Sequence, residues 1–529
     1  MDMDSARSLY RRSISLLLCD QRRKKKTFTD GNTGSGRRIQ RTPMSAGMYQ
    51  EPRYAGVLST SLTLYIIFHS IVIAERVFSI TELALLVFQL APPRTWPTLC
   101  LVNWDCAELV QPQIWKTVAC HTPDTSMKIR PHIRKLIHHV ETLNLDSLPQ
   151  PSVSDLVKEL SAIEQLANIT SLSLRHSQIT SDQLSVLLAK LPQLKEIDIQ
   201  GCVLQKHPLE MLAHCKDIES IAFSQENVLL STAHGQKNIF DLWARLKRLN
   251  VNVKNAAKHL SVLQIDETIS RCQLNLESLQ MSSAYHEFRA PTLPLACLRS
   301  VTFHTGNARP FKKHFQLIRA CPLIQHIELA GFRIDGNQFK DIAEGSKGLV
   351  SLTLKRCIYP TSSLRHFLDL CAGLERLNAE GIDAAGEVGG LFKEPSWSCR
   401  DKLQELTLSI VWGSGDMQQP EDILRDIFTA MWNTVDKLSR LRVLALEHVN
   451  RTGPFGTGIQ WAAALPRRLE KLCLTGQRWT REDVTWIVEN LEQLDELEYD
   501  DEEMNKICIF LIQKLRPDVR LIARGVAGV

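Results

Sequence analysis

The chain has 529 residues, 44% hydrophobic and 23% charged, enough for a large core and unlike a disordered or fibrous sequence. Its formal net charge is +5, but residues 1–53 hold twelve Lys/Arg against five Asp/Glu, an excess of +7. Subtracting that from +5 leaves −2 for the rest, so the body of the chain lacks the basic balance of a nucleic-acid binder.

Residues 1–54 are rich in Ser, Thr, Gly and Arg without sustained periodicity, and the expectation is a disordered basic tail. Arg22-Arg23-Lys24-Lys25-Lys26 and Arg37-Arg38 fit a nuclear import signal or a solvated charge run. A hydrophobic segment follows at 55–75. Its first twenty residues, Ala55 to Ala74, carry no formal charge, which is long enough to span a bilayer. Ser59, Thr60, Ser61, Thr63, His69 and Ser70 dilute it, so a packed helix or strand is the other reading. A translation start downstream, at Met44 or Met48, is a third.

Residues 76–120 read as two or three short amphipathic helices, broken at Pro92-Pro93. So small a unit buries little surface by itself and tends to leave an apolar face for a partner. Ile80, Glu82, Leu83, Leu86, Val87, Phe88 and Leu90 make the first apolar helix; Leu101-Val102 and Trp104 make a second phrase, and Trp115 closes it. This pattern resembles the F-box family. Thr81 stands where that family usually has Pro, and Trp104 follows Val102 sooner than usual. The plain structural reading of the same residues is a helical cap on whatever follows.

From about residue 130 to 529 the chain repeats a phrase L-x-x-L-x-L, with Ile, Val, Phe or Met in place of Leu. Fourteen copies start at Val140, Ile169, Leu194, Ile218, Leu246, Leu276, Leu298, Ile324, Leu349, Leu374, Leu403, Leu441, Leu469 and Leu494. A period in the twenties marks a solenoid. Positions 1, 4 and 6 of each phrase point inward from a short parallel strand, and positions 3, 5 and 7 point out onto a concave face. The stretches between phrases carry helical signals. Ser181-Asp182 open one amphipathic run, Glu421-Asp422 another through Ile423, Ile427, Met431 and Val435, and Thr480 with Asp483 forms a capping box. The expected fold is an α/β horseshoe. The chain resembles the leucine-rich-repeat family here, and Cys202 and Cys357 fall where that family's consensus has Asn or Cys.

An F-box-like unit ahead of leucine-rich repeats implies a substrate-recognition adaptor of an SCF-type cullin–RING ubiquitin ligase. By that resemblance Ile80, Glu82, Leu83, Leu86, Val87, Leu90, Leu101, Val102, Trp104 and Trp115 dock a Skp-type linker, and a protein substrate lies on the repeats, held near other subunits that carry the chemistry. The alternative is a repeat scaffold without a ligase role, with or without a membrane tether through 55–74.

The outward positions are polar and mostly small, without one dominating sign of charge, which suits a protein ligand. Arg175, Glu196, Asp198, Arg248, Asn250, Gln280, His304, Lys355, Arg376 and Asn378 are the candidates to bind it. Cys473 (with Lys471 and Thr475) is also read as outward-facing, as are Glu496, Glu498 and Asp500 in the acidic last phrase. Segments 381–400 and 450–460, rich in Gly and Pro, are read as loops interrupting the array, either binding elements or connectors.

Fourteen cysteines include no C-x-x-C pair, and the nearest cluster, Cys100, Cys106, Cys120 and His121, fits no common zinc spacing. Scattered thiols on apolar faces suit a reducing compartment, cytoplasm or nucleus. There is no Gly-rich phosphate loop, H-E-x-x-H or G-x-S-x-G, so neither catalysis nor a cofactor is expected.

Overall fold

The computed structural model describes residues 114–524 apart from stretches between repeats, chiefly 205–210, 225–235, 254–268, 284–294, 412–420 and 450–461. Among the described residues the strands form one parallel sheet in unbroken sequence order. They run from β1 (Thr117–Ala119), β2 (Thr142–Asn144), β3 (Ser171–Ser173), β4 (Glu196–Asp198), β5 (Ser220–Ser224), β6 (Arg248–Val253), β7 (Ser278–Ser283) and β8 (Ser300–Thr305) to β9 (His326–Ala330), β10 (Ser351–Lys355), β11 (Arg376–Asp383), β12 (Glu405–Val411), β13 (Val443–Val449), β14 (Lys471–Leu474), β15 (Glu496–Asp500) and β16 (Arg520–Arg524). The fourteen phrases correspond one for one to β2–β15. The sheet adds a strand at each end that the phrase does not mark. The first of these lies ahead of residue 130, within the stretch assigned to the F-box-like unit.

The register explains why the phrase is spaced as it is. Leu352 pairs with Ile327 on one side and Leu377 on the other, so position 4 of every phrase stacks on position 4 of the next. These residues are buried from Leu143 to Leu497, within a core that continues from Val118 to Val519. Each such side chain contributes about 1.5–3 kcal/mol of burial on the inward face, against the returning helices.

Helices return the chain on the far side of the sheet. They include α1 (Pro123–Leu136), α2 (Gln150–Ser161), α3 (Ser181–Leu188), α4 (Gln236–Arg245), α5 (Lys312–Ala320), α6 (Gly336–Gly345), α7 (Thr361–Leu370), α8 (Val388–Phe392), α9 (Glu421–Asp436), α10 (Arg481–Asn490) and α11 (Lys506–Leu515). Four of them open with reciprocal capping boxes, at Thr122/Thr125, Thr180/Gln183, Asp335/Gln338 and Thr480/Asp483. The cap of α3 is thus Thr180, one residue before the Ser181-Asp182 signal, because it is the Thr180 side chain that accepts from the Gln183 N–H. Strands lie about 4.8 Å apart whereas packed helices need 8–10 Å. The array therefore curves with the sheet on its inner side.

Two further positions of the phrase have fixed duties. Position 8 turns the chain out of the strand with positive φ at Ser147, His176, Gly201, Gly331, Arg356 and Gly381. At Gly331 a Cβ would sit 2.2 Å from the Thr305 carbonyl oxygen, so only glycine fits there. Position 9 then points back into the core. Cys202 Sγ donates to the Leu174 carbonyl at 2.9 Å and Cys357 Sγ to the Leu329 carbonyl at 3.3 Å. Ser177 Oγ does the same toward Leu145. In each case the acceptor is position 6 of the preceding phrase, so the side chain ties one repeat to its neighbour.

The segment 381–400 is not simply a loop. It holds the end of β11, helix α8 and, among its described residues, five buried side chains, Ile382, Leu391, Phe392, Trp397 and Cys399. The rings of Phe392 and Trp397 pack 6.0 Å apart. The segment 450–460 lies outside the described residues.

Candidate functional site

The outward face of β3–β7 carries a depression of about 270 Å³, lined by positions 3 and 5 of successive strands. Its floor is made by β5, where Ser220 and Ala222 are small. Long side chains from β4 reach over this strand to β6. Glu196 forms an ion pair with Arg248 across Ser220, with which both are in register.

Beside that pair runs a chain of side-chain hydrogen bonds. The Arg175 guanidinium donates to Gln200 Oε1 at 2.8 Å, Gln200 Nε2 donates to Asn250 Oδ1 at 2.9 Å, and Asn250 Nδ2 donates to Gln280 Oε1 at 3.0 Å. Each amide is oriented by its neighbour, so none is free to rotate without breaking a bond. Asp198 accepts from the Gln200 N–H at 2.9 Å and lies 3.7 Å from Arg175 Nε. Burial raises the Asp198 carboxyl above its ordinary range despite these two partners. Asp146 anchors the N-terminal edge, accepting from Ser173 Oγ at 2.6 Å and from the Arg175 N–H at 2.7 Å.

Six of the ten expected contact residues, Arg175, Glu196, Asp198, Arg248, Asn250 and Gln280, are therefore brought together. Gln200, which links them, is buried and joins the set. The signal for the depression was legible as Ser220, Ala222 and Ser224, three small residues at outward positions of one phrase.

The other four lie farther along the same face. Glu328 on β9 accepts from Lys355 Nζ at 2.8 Å and sits 3.3 Å from His304 Nε2. Burial opposes ionisation of Glu328, but the hydrogen bonds and charges of Lys355 and His304 outweigh it and hold the carboxyl below its ordinary range. Arg376 neighbours His326 across Ser351, and burial together with that guanidinium lowers the His326 imidazole. Asn378 stands in register with Thr353 and Thr407, its Oδ1 buried without a hydrogen bond. All four lie apart from the depression, His304 and Lys355 meeting at Glu328 and Arg376 and Asn378 lying on β11.

The last strands depart from the expectation of an exposed acidic end. Cys473 is fully buried and Glu498 is 6% exposed, although both occupy an outward position. Lys471 Nζ binds Glu496 at 2.5 Å and Glu498 at 2.7 Å, and Arg520 lies 3.5 Å from Glu496. The acidic pair is neutralised within the sheet, and those bonds raise the Lys471 ammonium pKa.

Of the residues expected to dock a linker, Ile80, Glu82, Leu83, Leu86, Val87, Leu90, Leu101, Val102 and Trp104 lie outside the described residues. Trp115 is half-buried and packs against the solenoid core immediately before β1. Among the described residues no disulfide forms and the thiols are mostly buried, and burial pushes Cys120 up to about 11 and Cys272 up to about 12. Among the described residues no cluster of three His, Cys, Asp or Glu is placed to hold a metal, and no helix is long and apolar enough to cross a membrane. Segment 55–74 lies outside them.

No family model matches the chain, and no curated protein matches it. Among solved structures it is similar to a leucine-rich-repeat protein of Leptospira interrogans, at 16% identity over 73% of this chain and 91% of that one, with a TM-score of 0.39. The yeast Rad7–Elc1 complex gives 14% identity over 79% and 92%, also with a TM-score of 0.39. The mouse RP105/MD-1 complex gives 12% identity over 73% and 53%, with a TM-score of 0.34. By its own sheet and repeat geometry the chain is an α/β leucine-rich-repeat solenoid.

Proposed function

We propose that this chain is a protein-recognition subunit whose ligand lies across the outward face of β3–β7. The observation that carries this reading is the oriented amide chain from Arg175 to Gln280 around the depression. At about 270 Å³ the depression is below the usual size of a small-molecule site, and it continues onto an open sheet face. Fixed donors and acceptors lose little freedom on binding, which suits a polar protein segment. Its charges nearly balance, Arg175 and Arg248 against Asp146, Glu196 and Asp198, so recognition rests on hydrogen-bond pattern rather than on one sign of charge.

The finer reading is an adaptor of an SCF-type ubiquitin ligase, with residues 76–120 docking a Skp-type linker and the repeats holding a protein substrate. Its support is the F-box-like apolar pattern placed directly ahead of the repeats. Co-purification of the full chain with a Skp-type linker, beside a Leu86→Asp/Val102→Asp variant, tests it. A stoichiometric complex lost in the variant is the expected result. No complex with a well-folded wild-type chain overturns it.

A scaffold without a ligase role is the second reading. It is favoured by Trp115 and β1, which belong to the packed solenoid and so act as its first layer. Both readings keep the same ligand face. In cell extracts, crosslinked partners that depend on Gln200 and Asn250 but not on Leu86 and Val102 identify the ligand of that face.

A further inference from the structure

Away from the concave face, a second depression of about 300 Å³ lies at the edge where the chain enters β12–β15. It is lined by Gln404, Arg440, Arg442, Arg468 and Gln493, three guanidinium groups and two amides without a carboxylate. The repeat geometry makes this site. The residue just before each phrase is Arg440, Arg468 and Gln493 in three successive repeats, while the second residue of the phrase is Gln404 and Arg442 in two. Backbone bonds hold this edge in line, Arg442 N–H to the Gln404 carbonyl at 2.8 Å and Glu470 N–H to the Arg442 carbonyl at 2.8 Å.

Arg440 and Arg468 are exposed and one strand spacing apart, about 5 Å between their backbones. Neither has an ion pair or side-chain hydrogen bond among the described residues. Arg442 is held by Glu470, which accepts from its Nε at 2.7 Å. Like charges on neighbouring strands repel, and a shared anion removes that repulsion. The three arginines less Glu470 carry two net positive charges, matching a phosphate monoester dianion. Planar guanidinium forks bind phosphate oxygens in pairs, and the two glutamine amides add further donors.

We propose that this arginine edge binds a single phosphate monoester, borne on a phosphorylated serine or threonine of a protein partner. A nucleic acid would need a longer basic stripe; here the row Lys402, Arg440, Arg468 ends at Gln493, and Glu470, Glu492 and Asp495 stand within two residues of Arg468 and Gln493 in the chain. The site is independent of the concave-face ligand and of the ligase connection.

The test uses the full chain at low ionic strength, because exposed charges are screened by salt. Calorimetric titrations compare an acetylated peptide carrying one phosphoserine, its unphosphorylated twin, inorganic phosphate and a short single-stranded RNA. The phosphopeptide is expected to bind saturably and to be displaced by inorganic phosphate, and its twin not to bind. Arg440→Gln/Arg468→Gln should weaken it by about tenfold or more, with an unchanged thermal midpoint. Should the double variant melt early, Arg440→Gln and Arg468→Gln alone are each expected to weaken binding. Equal binding of the two peptides, no saturable binding up to millimolar phosphopeptide, undiminished binding by the variants, or RNA bound in place of the phosphopeptide overturns the proposal.

Discussion

At the scale of single residues, position 8 separates what the turn requires from what it merely tolerates. Gly331 has no room for a side chain, so Gly331→Ala should destabilise by about 1–3 kcal/mol through the clash with Thr305 and the positive φ. Arg356 occupies the same turn with φ of 50° and is exposed, so Arg356→Gly should be neutral or slightly stabilising. Thermal melts of the two variants check the contrast. Glu328 offers a pH prediction. Its folded carboxyl is held below its unfolded value, so its contribution is present above the ordinary glutamate range and is lost as pH falls through the folded value. Melting midpoints of Glu328→Gln should therefore fall less steeply than wild type on acidification below about pH 4.5.

Elements are stabilised by two kinds of interaction of different size. Helix caps contribute modestly: Thr480→Ala removes the side-chain acceptor for the Asp483 N–H, leaves the backbone N–H bond to the Asp483 carboxylate, and should cost about 1 kcal/mol in chemical denaturation. The inward row contributes more. Leu352 is fully buried between Ile327 and Leu377, and Leu352→Ala should cost about 2–5 kcal/mol in the same assay. On the outward face the amide chain spans four inter-strand gaps with three hydrogen bonds, and Gln200→Ala should release both Arg175 and Asn250. The expected outcome is a small loss of stability and a larger loss of ligand affinity, which comparing melts with binding separates.

Across the described solenoid each strand is hydrogen-bonded only to its neighbours, so its end repeats have one such interface and central repeats two. Hydrogen exchange should accordingly be slowest in β9–β12 and faster in β1 and β16, and uniform protection would contradict a nearest-neighbour solenoid. Long side chains on β4 and β6 reach each other over the small residues of β5. The ligand face is therefore a property of consecutive repeats, not of any one of them.

The sequence by itself determined the repeat, because a one-residue slip would turn Leu352 and its counterparts from core to solvent, so the phrase had to be written into the chain fourteen times. It also determined which side chains face outward in most strands, and marked the capping box at Thr480. Only the tertiary structure decided which outward residues meet. Gln200 and Gln280 are eighty positions apart, yet Asn250 joins them because four repeats stack. The burial of Cys473 and Glu498 could not be read from alternation, since their neighbours along the sheet, not along the chain, set their exposure. β1 and β16, the end strands among the described residues, escaped the phrase for the same reason: each has one described neighbour to satisfy and needs fewer inward leucines. The arginine edge is likewise invisible in a linear reading, where Arg440, Arg468 and Gln404 belong to three different repeats.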